Sequence, residues 1–332
     1  MKGKKVLPLV SVWALSVLLV AVFLLANGFF RKERTVFLTT AQAKYSEGSS
    51  IVLTNREEIV RQIRRSLKQH DQRIKIFFHA KKEAMSDVEP LTKGLMEEAL
   101  ADTNRPDEGD YLRFQYGGYT LSYGHKPSGD GYDYSLSIAP KYYTWRIQDE
   151  QVTKELEEIR KGMHFHFFTS DREKIRKIYD WFYDHVTYDR VHEKNTENHL
   201  KTTAYAAICE REAVCQGYCV AMYRMLKEEG IDCRIMTGQA VDPKEESPGR
   251  SESKKGEGKR RNTEYHSWIL VRLGDFYYNI DVTWDKELGT HEYYLRGKSF
   301  FKDHKPDAKF TEKSFTDRYP VAEEDAGRGG FK

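Results

Sequence analysis

The sequence predicts a mixed α/β (α+β) protein, and three observations carry that expectation. "IDCRIMTGQAV" (residues 231–241) and "EYHSWILVRLGDFYYNIDVTWD" (264–285) alternate as strands, the second around a Gly274-Asp275 turn. Ser170 with Glu173 makes a capping box, followed by Ile175, Ile178, Phe182 and Val186 at helical spacing. "AVCQGYCVAMYRMLKEEG" (213–230) reads as an amphipathic helix with Val220, Met222, Tyr223 and Leu226 apolar and Gly230 as its stop. At 332 residues with 39% hydrophobic and 13% aromatic side chains, the chain can bury a real core, which excludes general disorder.

From the N-terminus, residues 6–26 are an uncharged apolar run of 21. As a helix the run would extend about 31 Å, close to the hydrocarbon thickness of a bilayer. The candidate cleavage point near Ala26 has Leu24 where a small residue is wanted, so residues 1–34 read as a retained transmembrane anchor rather than a removed signal. Lys2, Lys4 and Lys5 on a short tail favour a cytoplasmic N-terminus, with the rest of the chain outside the cell membrane. Residues 1–34 hold six basic side chains against Glu33, a net +5, so the remaining residues sum to −2 of the total +3. A nearly neutral body carries no electrostatic footprint for nucleic acid.

Residues 35–50 read as a polar stalk, and 51–165 as an α/β accessory region. In it "IVLT" and "RIKIFFHA" are strand-like, and 55–69 and 82–101 helix-like. "YLRFQYGGYTLSYG" and "GYDYSLSIAP" are β-rich, and residues 147–162 form a charged helix. Residues 166–300 carry the sharper signals, with a further short helix expected at 202–209. Within them, 242–263 is a charged low-complexity insert that reads as a solvated loop. Residues 301–332 form a C-terminal tail.

The four cysteines, Cys209, Cys215, Cys219 and Cys233, crowd into 25 residues. A disulfide scaffold would spread them, so the crowding points to a local site or to core. Cys215 stands where "AVCQGY" enters its helix, where free N–H groups and the positive helix end favour a thiolate. With the two-residue Gly274-Asp275 loop, Leu273 faces Phe276 and Trp268 faces Asp281, which puts His266 and Asp281 on one sheet face. Such diagonal neighbours lie about 7–8 Å apart, within side-chain reach. A thiolate that attacks an acyl carbon, an imidazole that exchanges the proton and a carboxylate that orients the imidazole make a nucleophilic site. Taken alone, a helix-start Cys or a strand His is more often packed core; the joint pattern changes the reading. A zinc site from Cys209, Cys215, Cys219 and His266 is a weaker alternative, because no C-x-x-C pair is present. No metal or cofactor is expected. Cys219 and Cys233 read as core.

At these residues the chain resembles the transglutaminase-like superfamily, the bacterial branch of the papain-type cysteine enzymes. The resemblance covers about 170–300, and rests on "IYDWFYDHVTYD", "AYAAICEREAVCQGYCVAMYRMLKEEGI", "YHSWILVRLGDFYYNIDVTWD" and "YYLRGKSFFKDH". It implies a papain-like transglutaminase core with Cys215 as nucleophile, His266 as base and Asp281 as its orienting partner. Cys219 stands where the family often has Ala, and the charged insert separates the Cys helix from the His strand. The implied activity is thiol-dependent acyl transfer on amide bonds of a protein, peptide or cell-wall peptide, either hydrolysis or amine cross-linking. The rival expectation is a non-catalytic surface-binding module on the same fold, holding its target through a tyrosine-rich face.

Overall fold

The computed structural model describes residues 34–37, 41–45, 51–81, 83–241 and 263–327. The apolar run at 6–26 and the charged insert, apart from Thr263, lie outside the described residues. Among those described, no helix is long and apolar enough to cross a membrane.

The first unit runs β1 (Thr35–Phe37), β2 (Ala41–Tyr45), β3 (Ile51–Leu53), α1 (Arg56–Lys68), β4 (Arg73–Ala80), α2 (Val88–Ala99), α3 (Asp110–Phe114), β5 (Tyr116–Ser128) and β6 (Gly131–Tyr142). Alternation in "RIKIFFHA" is what makes β4 a half-buried strand: Ile74, Ile76, Phe78 and Ala80 point inward and the residues between them do not. Ile59 and Ile63 of α1 and Leu91 and Leu95 of α2 cover that inward face. Residues 35–37 and 41–45 are strands rather than the expected stalk. β4 pairs with β6 along one edge, and its other edge takes β1 and the start of β2 in parallel. An open edge is a row of unpaired backbone groups, and these two short segments cap it.

The boundary expected at residue 165 does not separate two cores. Tyr111 of α3, and Val152 and Leu156 of α4 (Arg146–Gly162), pack in the same apolar cluster as the cysteine-bearing helix.

The second unit continues with α5 (Asp171–His185), β7 (Thr187–Tyr188), β8 (Glu212–Ala213), α6 (Cys215–Glu228), β9 (Cys233–Val241), β10 (Thr263–Leu273), β11 (Phe276–Ile280), α7 (Val282–Leu288), β12 (His304–Pro306) and α8 (Lys313–Arg318). Ser170 caps α5, its Oγ accepting from the Glu173 N–H at 3.3 Å. Residues 202–209 are not one regular helix. A 3-10 turn at Leu200–Thr202 precedes a wide π turn at Ala206–Glu210.

Helix α6 is the centre of the unit, and it is not amphipathic. Every residue from Gly217 to Lys227 is buried, two cations included. Arg224 donates to the Tyr111 hydroxyl at 2.9 Å, Thr153 Oγ1 at 2.8 Å and Glu228 at 3.1 Å. Lys227 donates to Asp232 at 2.5 Å and Asp102 at 3.3 Å. Buried charges persist only with such partners. The helix closes as a Schellman turn, Ile231 N–H bonding Leu226 O at 3.0 Å and Gly230 N–H bonding Lys227 O at 3.1 Å.

Beside α6 lies an antiparallel sheet in the order β11-β10-β9-β12. Its two faces serve different cores, as period-2 alternation requires. Cys233, Ile235, Ile269 and Val271 join the α6 cluster, while Met236, Ala240, Trp268 and Leu270 pack on the opposite face with Phe301, Phe310 and Tyr319. The expected C-terminal tail is therefore partly core, and its strand β12 is one edge of the sheet.

Candidate active site

Cys215 is the first residue of α6, and each neighbour in "CQGY" has a local task. Val214, the N-cap, offers no side-chain acceptor to the first-turn N–H groups, which leaves a positive helix end beside the thiol. Gln216 Nε2 donates to the Phe114 carbonyl at 2.8 Å. Gly217 allows a close approach: a Cβ there would lie 2.7 Å from Lys201 O and 2.8 Å from the Ala213 Cβ. Tyr218 donates its hydroxyl to the Val186 carbonyl, fixing α6 against the end of α5. Cys215 remains partly exposed, Cys209 lies partly buried on the π turn, and Cys219 and Cys233 are buried.

His266 sits on β10 opposite Gly238 of β9. The hairpin register is the one the turn predicts, from Leu273↔Phe276 to Ile269↔Ile280. It stops there. Asp281 does not extend the strand to face Trp268; it turns out of the sheet as the N-cap of α7. Its Oδ1 accepts from Thr283 N–H at 3.1 Å, Thr283 Oγ1 at 2.6 Å and Trp284 N–H at 3.1 Å. Capping competes with ladder pairing, and an Asp followed by Thr and Trp amides is a strong cap. Trp268 bonds Asn279 Oδ1 at 3.1 Å instead.

The cap leaves Asp281 Oδ2 free, and His266 Nε2 lies 2.6 Å from it. That contact leaves Nδ1 as the other ring nitrogen, and Cys215 lies near enough to the ring to help raise its pKa. Both His266 and Asp281 are only 2% exposed. Burial opposes charge on the imidazole, but Asp281 and Cys215 outweigh it and hold the His266 pKa well above the usual histidine range. Burial likewise opposes the Asp281 carboxylate, and His266 and then His304 outweigh it, holding its pKa well below the usual range. The structure therefore brings together Cys215, His266 and Asp281, the three residues the sequence reading selected. The other cysteines differ in kind. Burial, then Glu155, pushes the Cys209 thiol up to about 11, and burial drives Cys219 and Cys233 well above the usual thiol value.

Sequence reasoning missed several residues at the site. His304 Nε2 lies 3.2 Å from Asp281 Oδ2, and Trp284 packs its ring 5.0 Å from that of His266. Tyr188 is close enough to Cys215 that, after burial, the thiol is the next cause raising its phenol pKa. Their signal was present in "HVTYD", "DVTWD" and "FFKDH", which carry the family resemblance without showing what each side chain does.

His266, Asp281 and His304 also place three ligand-type atoms within 4.8 Å of one another. The 2.6 Å contact between His266 and Asp281 is a hydrogen-bond distance. Ligand atoms each about 2.0–2.1 Å from one tetrahedral zinc ion would stand roughly 3.3 Å apart. The pair as it stands is closed to an ion between them, and Cys209 lies on a separate turn.

Residues 166–282 match the family model of the transglutaminase-like superfamily. No curated protein is significantly similar in sequence. Among solved structures, the chain is similar to a TGase at 15% identity and a TM-score of 0.31, over 78% of this chain and 60% of that one. It is also similar to a candidate cysteine protease from Cytophaga hutchinsonii at 15% identity and a TM-score of 0.27, over 51% of this chain and 65% of that one. The chain thus spans less than two thirds of either structure's own length.

Proposed function

We propose, from the match of residues 166–282 to the transglutaminase-like superfamily, that Cys215, His266 and Asp281 perform thiol-dependent acyl transfer on amide bonds. The observation that carries the reading is the buried 2.6 Å contact between His266 Nε2 and Asp281 Oδ2, with the helix-start Cys215 near enough to His266 to help raise its pKa.

In the first half-reaction, the Cys215 sulfur attacks the amide carbonyl carbon, and the carbonyl π electrons move onto oxygen. First-turn N–H groups of α6 would receive that oxyanion. On collapse the C–N bond breaks, and the leaving nitrogen takes the proton from His266, so an amine departs and a thioester remains. In the second half-reaction, His266 removes a proton from water or from an incoming amine as that nucleophile attacks the thioester. The C–S bond then breaks, the thiolate returns, and the product is an acid or a new amide. Asp281 holds one tautomer and orientation of the ring throughout and does not itself change protonation. Hydrolysis and cross-linking share this acyl-enzyme and differ only in what resolves it.

Peptides and proteins, cell-wall peptides included, are the proposed substrates. The apolar run at 6–26 favours a membrane-anchored enzyme whose domain faces outward. The test is turnover of a panel of glutamine- and peptide-amide substrates, with and without an added primary amine, by the wild type and Cys215→Ala. Ammonia or amine release that vanishes in Cys215→Ala is expected. A biological effect that persists undiminished in Cys215→Ala would instead establish the non-catalytic binding module.

A further inference from the structure

The residue with most to explain is His304, on a three-residue strand past the end of the family match. We propose that His304 is a positioning residue of the site: it locks Asp281 in the orientation that receives His266, and is itself braced by Asp303. The inference rests on the triad reading above and adds a fourth member to it.

Hydrogen-bond capacity makes the argument. Asp281 Oδ1 is engaged by three donors of the α7 cap. Oδ2 faces two imidazole nitrogens, His266 Nε2 at 2.6 Å and His304 Nε2 at 3.2 Å. A carboxylate has about four lone-pair sites, so these five contacts saturate it and leave no rotation without loss. His304 is held as firmly from behind. Its Nδ1 lies 2.8 Å from Asp303 Oδ1, and Asp303 Oδ2 accepts from the Tyr293 hydroxyl at 2.6 Å. The ring stacks on Phe301 at 4.0 Å and meets Trp284 at 4.3 Å and Trp268 at 4.9 Å, with no exposed side-chain surface.

The sheet is built to allow this. His304 pairs with Ala240 and Pro306 with Gly238, while on the other side of β9 Gly238 pairs with His266. Paired residues share a sheet face, so His266 and His304 stand on one face with only Gly238 and Ala240 between their strands. A Cβ on Gly238 would come within 2.1 Å of Lys305 O. Small residues there let β12 close in and leave room for the Asp281 carboxylate. A histidine serving only as aromatic filling would need neither nitrogen facing a carboxylate.

The test uses the full chain and three variants. His304→Phe keeps a ring in the aromatic cluster but removes the donor, and His304→Gln restores a donor near the Nε2 position. Asp303→Ala removes the brace at a partly exposed side chain. The readouts are the rate of Cys215 alkylation by iodoacetamide, the far-downfield proton resonance of the His266–Asp281 bond, and the thermal midpoint. His304→Phe should slow alkylation by about 10- to 100-fold and shift or abolish the resonance in a protein that still melts cooperatively. His304→Gln should recover most of both. Wild-type alkylation and an unchanged resonance in folded His304→Phe would reduce His304 to packing and overturn the proposal. If His304→Phe does not fold, Asp303→Ala decides: slower alkylation supports the brace, and the wild-type rate overturns it. Failure of the wild type itself to alkylate selectively at Cys215 would strike the triad reading instead, which keeps the two failures distinguishable.

Discussion

Asp281 uses its two oxygens for different purposes, and that division sets what its substitution should do. Oδ1 caps α7, while Oδ2 receives His266 and His304. Asparagine can still cap with its carbonyl oxygen, which puts an amide nitrogen where His266 needs an acceptor. Asp281→Asn should therefore stay folded yet lose about 10²- to 10⁴-fold in turnover, because the ring is free to take the wrong tautomer. Asp281→Ala should lose the cap as well, at about 0.5–2 kcal/mol of stability for that part alone. Turnover and urea midpoints on both variants check this; equal loss of stability would make Asp281 a purely structural cap. Thiol chemistry gives a second check at the same scale. Iodoacetamide should reach Cys215 first, since Cys209 is pushed up to about 11 and Cys219 and Cys233 are buried thiols driven well above the usual thiol value. Mass spectrometry of partially labelled folded protein reads the order, and uniform labelling of all four would sink the assignment of Cys215 as nucleophile.

Among the elements, those legible in the sequence were fixed by local chemistry. Gly274-Asp275 sets the hairpin register, the Ser170 cap starts α5, and alternation marks β4, β9 and β10. What the sequence hid was decided by partners far along the chain. Strand β12 has three residues, one of them proline, and so shows no alternation to read. Arg224 and Lys227 make α6 look amphipathic, yet Tyr111 and Asp102 pair with them from more than 100 residues away in the chain. The site was legible to the extent that its residues lie on the hairpin and the helix start. His304 was not, because only the seating of β12 on β9 brings it near Asp281. That seating yields its own prediction. Gly238→Ala would drive a methyl group against the Lys305 carbonyl and the Pro306 Cα, both backbone atoms that cannot rotate away. It should lower stability by about 1–3 kcal/mol and loosen residues 304–306. Faster amide exchange and proteolysis there, with slower Cys215 alkylation, are the expected results; wild-type behaviour in all three would mean β12 is not held by that contact.

For the whole molecule, the units are joined by buried charge as much as by apolar contact. Asp110 of α3 accepts from Arg234 of β9 at 2.8 and 3.0 Å and from the Ile235 N–H at 2.9 Å. Such groups make global stability depend on pH, and Asp285 gives the clearest case. Fully buried on α7, it accepts from Tyr179 of α5 at 2.7 Å, Thr290 at 3.0 Å and the Tyr293 N–H at 3.0 Å. Burial still dominates these donors and pushes its carboxyl up to about 7. In the unfolded chain the same group titrates near about 3.9. Between those values the unfolded state has released a proton that the folded state keeps, so stability falls as pH rises, by an amount of order 2–4 kcal/mol. Asp281 has the opposite sign: its depressed pKa contributes stability that is present above about pH 4 and lost only as pH falls further. His266, with its raised pKa, contributes stability that is full below about pH 6.5 and lost as pH rises through its folded value. Asp285→Asn removes the first contribution and leaves the other two. The wild type should therefore lose stability relative to Asp285→Asn between pH 4.5 and pH 8, measured by urea unfolding at each pH. Parallel stability curves for the two proteins would mean that Asp285 stays charged in the fold, with its donors outweighing burial after all.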